Sequence, residues 1–400
     1  MKKLFIAAGC LCLLGLQLVN GQEKRDEKLW QEALRLHHQA LAIDTHCDTP
    51  LLMRDGGIDI GRLNEKNSLD LIRMERGGVD AAFFAVYVSN RRDRGHPALD
   101  ALEMIDAIYR QVEKYPLLAE LAFSPEDIRR ISAGGRRAIL IGMENGGPLQ
   151  GSLPMLRIFH RLGVRYITLT HNANNDICDS STEEKPRWNG LSPFGRRVVA
   201  EMNRLGMLID VSHLADKSIA DILEISRVPV FASHSCVRSL CRSPRNLPDE
   251  LIKAIARKGG VVQLNFFSGF LDEEFRLQMQ AVEKRIFPAI QKLKSEFPGE
   301  SAAYWEALGQ LWRKEAPPPV GIGRLIDHVD YLVRLAGVDA VGLGSDYDGA
   351  GSYPPGLEDV SGFPLITYEL LKRGYREAQI KKILGENFLR VFAAAIGQAG

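Results

Sequence analysis

Eight apolar, β-rich runs, the amphipathic segments between them, and a polar residue at the carboxyl end of six of the runs predict an α/β fold. The expected architecture is a (β/α)8 TIM barrel with a helical insertion between strands seven and eight. Most runs are continuously apolar rather than alternating, as parallel strands covered on both faces must be. No Gly-x-Gly-x-x-Gly turn follows the first run, which disfavours a doubly wound open sheet.

The chain has 400 residues, 45% of them hydrophobic, and a formal charge of +1. That is enough apolar material for one large core. A near-balanced charge with no basic block argues against nucleic acid as the main partner, because binding phosphates takes a concentrated cationic face. A small-molecule substrate is expected instead.

In chain order, Lys2 and Lys3 precede an apolar stretch from Leu4 to Val19, and Gly21 precedes the charged "QEKRDEK". This pattern reads as a secretory signal peptide over residues 1–21, leaving a single domain over 22–400. The apolar stretch is short for a membrane span, so cleavage and export to the periplasm or beyond are expected. Acylation of Cys10 after "IAAG", the lesser alternative, is the one route to membrane contact. Loss of the signal leaves Cys47, Cys178, Cys236 and Cys241, too few for a disulfide-built scaffold.

Asp26 to Ala42 has helical character, and the runs follow: "ALAIDTH" (40–46), "VDAAFFAVYV" (79–88), "RAILIGME" (137–144), "VRYITLTH" (164–171), "GMLIDVSH" (206–213), "VPVFASH" (228–234), "GGVVQLNFF" (259–267) and "DAVGLGSD" (339–346). Amphipathic segments such as Pro193 to Leu205, Ala215 to Ser226 and Asp249 to Lys258 begin at Ser, Asp or Pro start signals. Ser268 to Pro319 is long, charged and helix-like, and "APPPVG" (316–321) stiffens its exit.

The polar residues matter because of where they fall. His46 and Asp48 end run one, Glu144 run three, His171 run four, His213 run five, His234 run six and Asp346 run eight. In a parallel barrel those ends converge on one face. Alternation along an extended strand would turn His46 and Asp48 the same way, about 7 Å apart, and turn Cys47 away into packing. Imidazoles and carboxylates gathered in this way suit Zn²⁺, with Mn²⁺, Co²⁺ or Fe²⁺ weaker candidates. The donors outnumber one tetrahedral ion. Two ions follow, His46 and Asp48 on one, His213 and His234 on the other, with Glu144 between them. Such a pair holds a hydroxide and polarises a carbonyl, which is hydrolytic chemistry. His37, His38, His96, His160 and His328 lie away from strand ends and carry no assigned chemistry.

The ordered set "DTHCDTP", "GMENG", "TLTHN", "LIDVSH", "FASHS", "RNLPDE", "GLGSDYDG" and "GLEDVSGFP" resembles the membrane (renal) dipeptidases, peptidase family M19 of the amidohydrolase superfamily. The resemblance runs from about Ala42 to the final helix. It implies a metallodipeptidase with two zinc ions per subunit bridged by Glu144, and with His46, Asp48, His213 and His234 as the other ligands. It also implies that His171 steadies the oxyanion, Arg245 receives the substrate's C-terminal carboxylate, and Asp346, rather than Asp348, moves the proton. A guanidinium grips a carboxylate in two-point fashion, which suits a short peptide with a free C-terminus. Acceptance of both L,L and L,D dipeptides, and a homodimer, are further implications. The mammalian members end in a lipid-anchor signal, whereas "FAAAIGQAG" is too short and weakly apolar for one.

Two other readings stay open on the residues. One is a different metal hydrolase on the same barrel, acting on a lactone, a phosphotriester or an N-acyl amino acid. The other is a non-catalytic binding protein that keeps the barrel.

Overall fold

A computed structural model describes residues 25–89, 95–297 and 302–397. The expected signal peptide lies outside the described residues. Nine strands form among the described residues: β1 (Ala42–Cys47), β2 (Val79–Tyr87), β3 (Ala119–Leu121), β4 (Arg137–Glu144), β5 (Val164–Thr168), β6 (Leu208–Asp210), β7 (Phe231–Ala232), β8 (Val261–Leu264) and β9 (Val341–Leu343). Eight of them pair in parallel in the order β1-β2-β4-β5-β6-β7-β8-β9, one from each apolar run. The ring closes where Cys47 bridges Tyr347, where the amide of Asp48 donates to the Tyr347 carbonyl at 2.8 Å, and where the amide of Asp346 donates to the His46 carbonyl at 3.1 Å. The chain is therefore the expected (β/α)8 barrel.

The ninth strand, β3, was not among the expected elements. It is three residues long, follows the helix Pro97–Lys114, and pairs only with the start of β4. Its short "AEL" has no run of its own to mark it, so only the pairing partner reveals it.

Alternate residues along the strands enter two different buried clusters, as a two-residue side-chain period requires. Ile43, Phe83, Leu140, Tyr166, Leu208, Phe231 and Val261 belong to one. Ala42, Phe84, Ile141, Ile167, Ile209 and Val262 belong to the other, together with the surrounding helices. The final helix, Asn387–Ile396, adds Phe388 and Phe392 to the first cluster, with ring centroids 5.4 and 6.3 Å from that of Phe83. Its Asn387 amide donates to the carbonyls of Val338 and Val341, and Arg390 to that of Asp339, so this helix plugs the amino-terminal end of the barrel. Burying each large aromatic contributes about 1.5–3 kcal/mol. The opposite end is left for polar groups.

Start signals hold the helices where the sequence suggested. Ser192 accepts from the Gly195 amide at 2.9 Å to open Pro193–Leu205, and the next two amphipathic segments become Asp216–Ile225 and Asp249–Arg257. The insertion is helical as expected: Ser268–Leu271, Glu273–Glu296 and Ala302–Glu315 lie between β8 and β9, the seventh and eighth barrel strands. No described helix is long and apolar enough to cross a membrane. Cys47, Cys178, Cys236 and Cys241 are all buried and unpaired. The Cys47 thiol donates to the Phe83 carbonyl at 3.4 Å, the packing role expected of it.

Candidate metal centre

Strand alternation is not what brings His46 and Asp48 together. The pairing of β1 with β2 slips between Asp44 and Cys47, the strand ends at Cys47, and Asp48 already caps the helix Thr49–Gly56. A break in register and a strand-to-helix turn, rather than simple period two, leave His46 Nε2 3.6 Å from Asp48 Oδ2. Glu144 ends β4, and its carboxylate lies 3.6 Å from His46 Nε2 and 3.0, 3.5 and 3.7 Å from the Nε2 atoms of His213, His234 and His171. Three overlapping groups have donor atoms within 4.8 Å of one another: His46, Asp48 and Glu144; Glu144, His171 and His213; His46, His234 and Asp346. The sequence-derived residues are thus brought to one place.

Backbone strain marks two of them. His213 and Asp346 adopt φ of 69° and 63°, a region that side chains other than glycine rarely enter. For His213 the conformation is held by the strap that follows β5: the Ser181 amide donates to the His213 carbonyl at 2.8 Å, and the neighbouring Ser180 hydroxyl ties the strap to the carbonyl of His171 at 2.5 Å. Asp346 is held by Asn265, whose amide donates to its carboxylate at 2.8 Å, and by Tyr353, whose hydroxyl donates to its carbonyl at 2.7 Å. Asp348 is turned aside, accepting from the Thr49 hydroxyl and the Ser68 amide at 2.6 Å each.

A cluster of this kind fits a cation on three counts. First, His46 Nε2 and Asp48 Oδ1 are buried without a hydrogen-bond partner, and a buried polar atom left so is costly. Second, the Nε2 atoms of His213 and His234 face each other at 3.0 Å, while their Nδ1 atoms reach Asn172 Oδ1 and the Ser233 hydroxyl at 3.0 and 2.6 Å. Those outer partners favour the proton on Nδ1, which points two lone pairs at one spot. His46 is arranged alike, with Nδ1 against the Tyr166 hydroxyl at 2.7 Å. Tyr166 can stand there because Gly142 has no side chain: a Cβ would come 2.1 Å from the Tyr166 ring.

The third count is electrostatic. Burial, with the neighbouring Glu144 charge second, pushes the Asp48 carboxyl up to about 8. Burial raises Asp346 as well. Burial also acts upward on Glu144, but the facing imidazoles outweigh it and hold that carboxyl well below its usual range. Burial acts downward on His46, yet Glu144 and Asp48 carry it well above the usual imidazole range. His213 and His234 are driven well below that range by burial. Carboxyls pushed up by burial and by Glu144 are groups that a bound divalent cation would hold in the ionised form.

The expected substrate residues line the same space. His171, driven down by burial, stacks its ring 4.2 Å from that of His213 and sits edge-on to Tyr87 at 4.8 Å. Arg245 is buried, with its guanidinium 5.3 Å from the Phe270 ring centre and Nη1 unpartnered.

Sequence reasoning missed the residues behind the donors: Asp44, Tyr166, Asn172, Asp210, Ser233 and Asn265. One signal was present for two of them. Asp44 and Asp210 interrupt apolar runs, and a carboxylate inside a buried strand must be satisfied by neighbours.

Known proteins resemble this chain over most of its length. The model of the membrane dipeptidases, peptidase family M19, matches residues 30–398. Dipeptidase 3 of Mus musculus is 34% identical over 379 residues, covering 92% of this chain and 67% of that protein. Among solved structures, the probable dipeptidase PvdM from Pseudomonas aeruginosa has a TM-score of 0.81 at 30% identity, covering 94% of this chain and 100% of that one. A metallo peptidase from Rhodobacter sphaeroides, liganded with a phosphinate mimic of the dipeptide L-Ala-D-Ala, has a TM-score of 0.73 at 25% identity, covering 89% of this chain and 99% of that one.

Proposed function

The chain belongs to the membrane dipeptidase family, peptidase family M19, and from that premise we propose that it is a two-zinc dipeptidase cleaving the single peptide bond of L,L and L,D dipeptides. The observation that carries this reading is the convergence of His46, Asp48, Glu144, His213 and His234 beside a buried arginine with an unpartnered nitrogen. In this reading His46 and Asp48 would hold one ion and His213 and His234 the other, with Glu144 between them. The bound ions supply Lewis acidity, polarising the scissile carbonyl and making a water more acidic.

The protein's own groups do the rest. Arg245 offers Nη1 to the substrate's C-terminal carboxylate, a charge-assisted bond made in a buried position. His171, kept neutral by burial, offers a ring N–H to the carbonyl oxygen as it gains negative charge. Asp346 takes the proton of the attacking water and returns it to the leaving nitrogen as the C–N bond breaks. A carboxyl raised by burial is suited to both halves of that transfer. The Rhodobacter sphaeroides neighbour, with its mimic of L-Ala-D-Ala, supports tolerance of a D residue at the second position. Export through Leu4 to Val19 completes the proposal and is checked by N-terminal sequencing of the mature protein.

A panel of L,L and L,D dipeptides, assayed beside lactones, phosphotriesters and N-acyl amino acids with the zinc-loaded protein, tests the reading. Turnover of dipeptides that stops on chelation is the expected result. Turnover confined to the other compounds would overturn it.

A further inference from the structure

We propose that Asp210, acting through Ser233, sets the tautomer of His234, keeping its proton on Nδ1 and leaving Nε2 bare towards Glu144. Asp210 is a positioning residue in this scheme, since it touches neither substrate nor the candidate ions. The consequence for metal affinity rests on the two-metal reading above; the tautomer itself is a property of the chain alone.

Asp210 ends β6 and is fully buried. Four donors converge on it. The amides of Ser212 and Ser233 donate to Oδ1 at 3.0 and 2.8 Å, and the hydroxyls of Thr168 and Ser233 to Oδ2 at 2.5 and 2.6 Å. A serine hydroxyl carries one hydrogen. Ser233 directs it to the carboxylate, so its oxygen meets His234 Nδ1, 2.6 Å away, only as an acceptor. Two other acceptors compete for that hydrogen: a bare His234 Nδ1, neutral and also 2.6 Å away, and the Ser212 hydroxyl, neutral and 3.4 Å away, which already accepts from the His234 amide at 3.0 Å. A carboxylate oxygen at 2.6 Å outcompetes both. The imidazole proton is therefore pinned to Nδ1, and Nε2 presents its lone pair 3.5 Å from Glu144 Oε1.

The barrel contains an internal control. Asp44 in β1 repeats the same staple: the amides of His46 and Ser345 donate to Oδ1 at 3.3 and 2.9 Å, and the Ser345 hydroxyl to Oδ2 at 2.5 Å. The residue after Ser345 is Asp346, not a histidine, so this copy fixes backbone and has no ring proton to direct. Comparing the two staples separates a structural role from the tautomeric one.

Asp210→Asn keeps size and shape but reverses the relay. With its oxygen retained for the two backbone amides, its NH2 group donates into Ser233. The serine hydrogen then turns to His234 Nδ1 and the ring proton moves to Nε2, the nitrogen that faces the cluster. Loss of such an outer partner typically weakens metal binding about 10- to 100-fold.

The test uses full-length protein freed of metal, with histidine tautomers read from ring-nitrogen NMR, and zinc binding then measured by calorimetric titration. The expected results are Nδ1–H for His234 in the parent, Nε2–H in Asp210→Asn, and unchanged Nδ1–H in Asp44→Asn. Asp210→Asn should bind one of two zinc ions about 10- to 100-fold more weakly. A parent ring protonated on Nε2, or an Asp210→Asn ring still protonated on Nδ1, overturns the inference. Should Asp210→Asn fail to fold, Ser233→Ala keeps both backbone bonds to Asp210 and must lose the Nδ1–H preference; a retained preference likewise overturns it. Tautomers as stated in a parent that binds no zinc would sink the two-metal reading and leave this inference standing.

Discussion

Arg245 donates through Nη2 to the main-chain carbonyl of His234 at 3.3 Å, so the candidate substrate anchor and a candidate metal ligand share one point of support. Its Nη1 has no partner in a buried position. Truncating a buried charged partner typically costs about 2–5 kcal/mol. Arg245→Ala should therefore raise KM for dipeptides steeply, with kcat/KM down about 30-fold or more. Dipeptides amidated at the C-terminus should respond equally to parent and variant. Steady-state kinetics on both substrate types check this, and an unchanged KM would remove Arg245 from the proposed pose.

Gly349 allows Asp48 and Asp346 to approach each other. A Cβ there would lie 2.0 Å from Asp48 Oδ2 and 2.6 Å from Asp346 Oδ1. Gly349→Ala is expected to force both carboxylates apart. Displacement of a reacting group by about 1 Å can cost about 100-fold in rate, so kcat should fall on that scale. Thermal melting should change little, because the displaced groups belong to the site rather than to the barrel core. Kinetics and melting run on the same preparation separate the two effects.

Ion binding should stabilise the fold. Ligands that bind only the folded state add about 2.7 kcal/mol each when present at about 100 times Kd. Chelation should lower the melting temperature by several degrees, and added zinc should restore it. Glu144→Gln, which removes the carboxylate facing four imidazoles, should melt at the same temperature with and without chelator.

Two histidines away from the site set an acid limit. His37 bonds Thr367 and the Gly77 carbonyl, and His328 bonds the Val237 amide and the Leu271 carbonyl. Burial lowers each to about 4. Because the folded-state value lies below the unfolded 6.5, the folded protein binds fewer protons between those limits. Their stabilising effect is thus complete above pH 6.5 and declines as pH falls towards 4, by about 3 kcal/mol for each at most. Denaturant midpoints measured across that window should fall with pH, and His328→Gln should flatten the slope.

Much of the site was legible because it repeats with the barrel unit. His171, His213, His234, Glu144 and Asp346 each follow an apolar run, and a parallel barrel gathers such positions at one rim whatever their spacing in the chain. His46 and Asp48 were assigned to the same cavity for a reason that the register shift between Asp44 and Cys47 replaces. The β3 strand escaped notice because three residues make no periodic signal and its pairing with Arg137–Ile139 is not local.

What the sequence by itself determined was the number and order of the barrel strands, the helical insertion, and the donor types at the strand ends. These depend on hydrophobic period and on residues within a few positions of one another, which a linear reading captures. Only the tertiary structure decided which ring nitrogen faces inwards and how His46 and Asp48 are brought together. Those outcomes hang on bonds such as Ser345 to Asp44, across 301 residues, and Tyr166 to His46, across 120. A hydrogen bond needs its atoms within about 3 Å, and along a folded barrel that proximity is set by strand register and bulges, which no local pattern encodes.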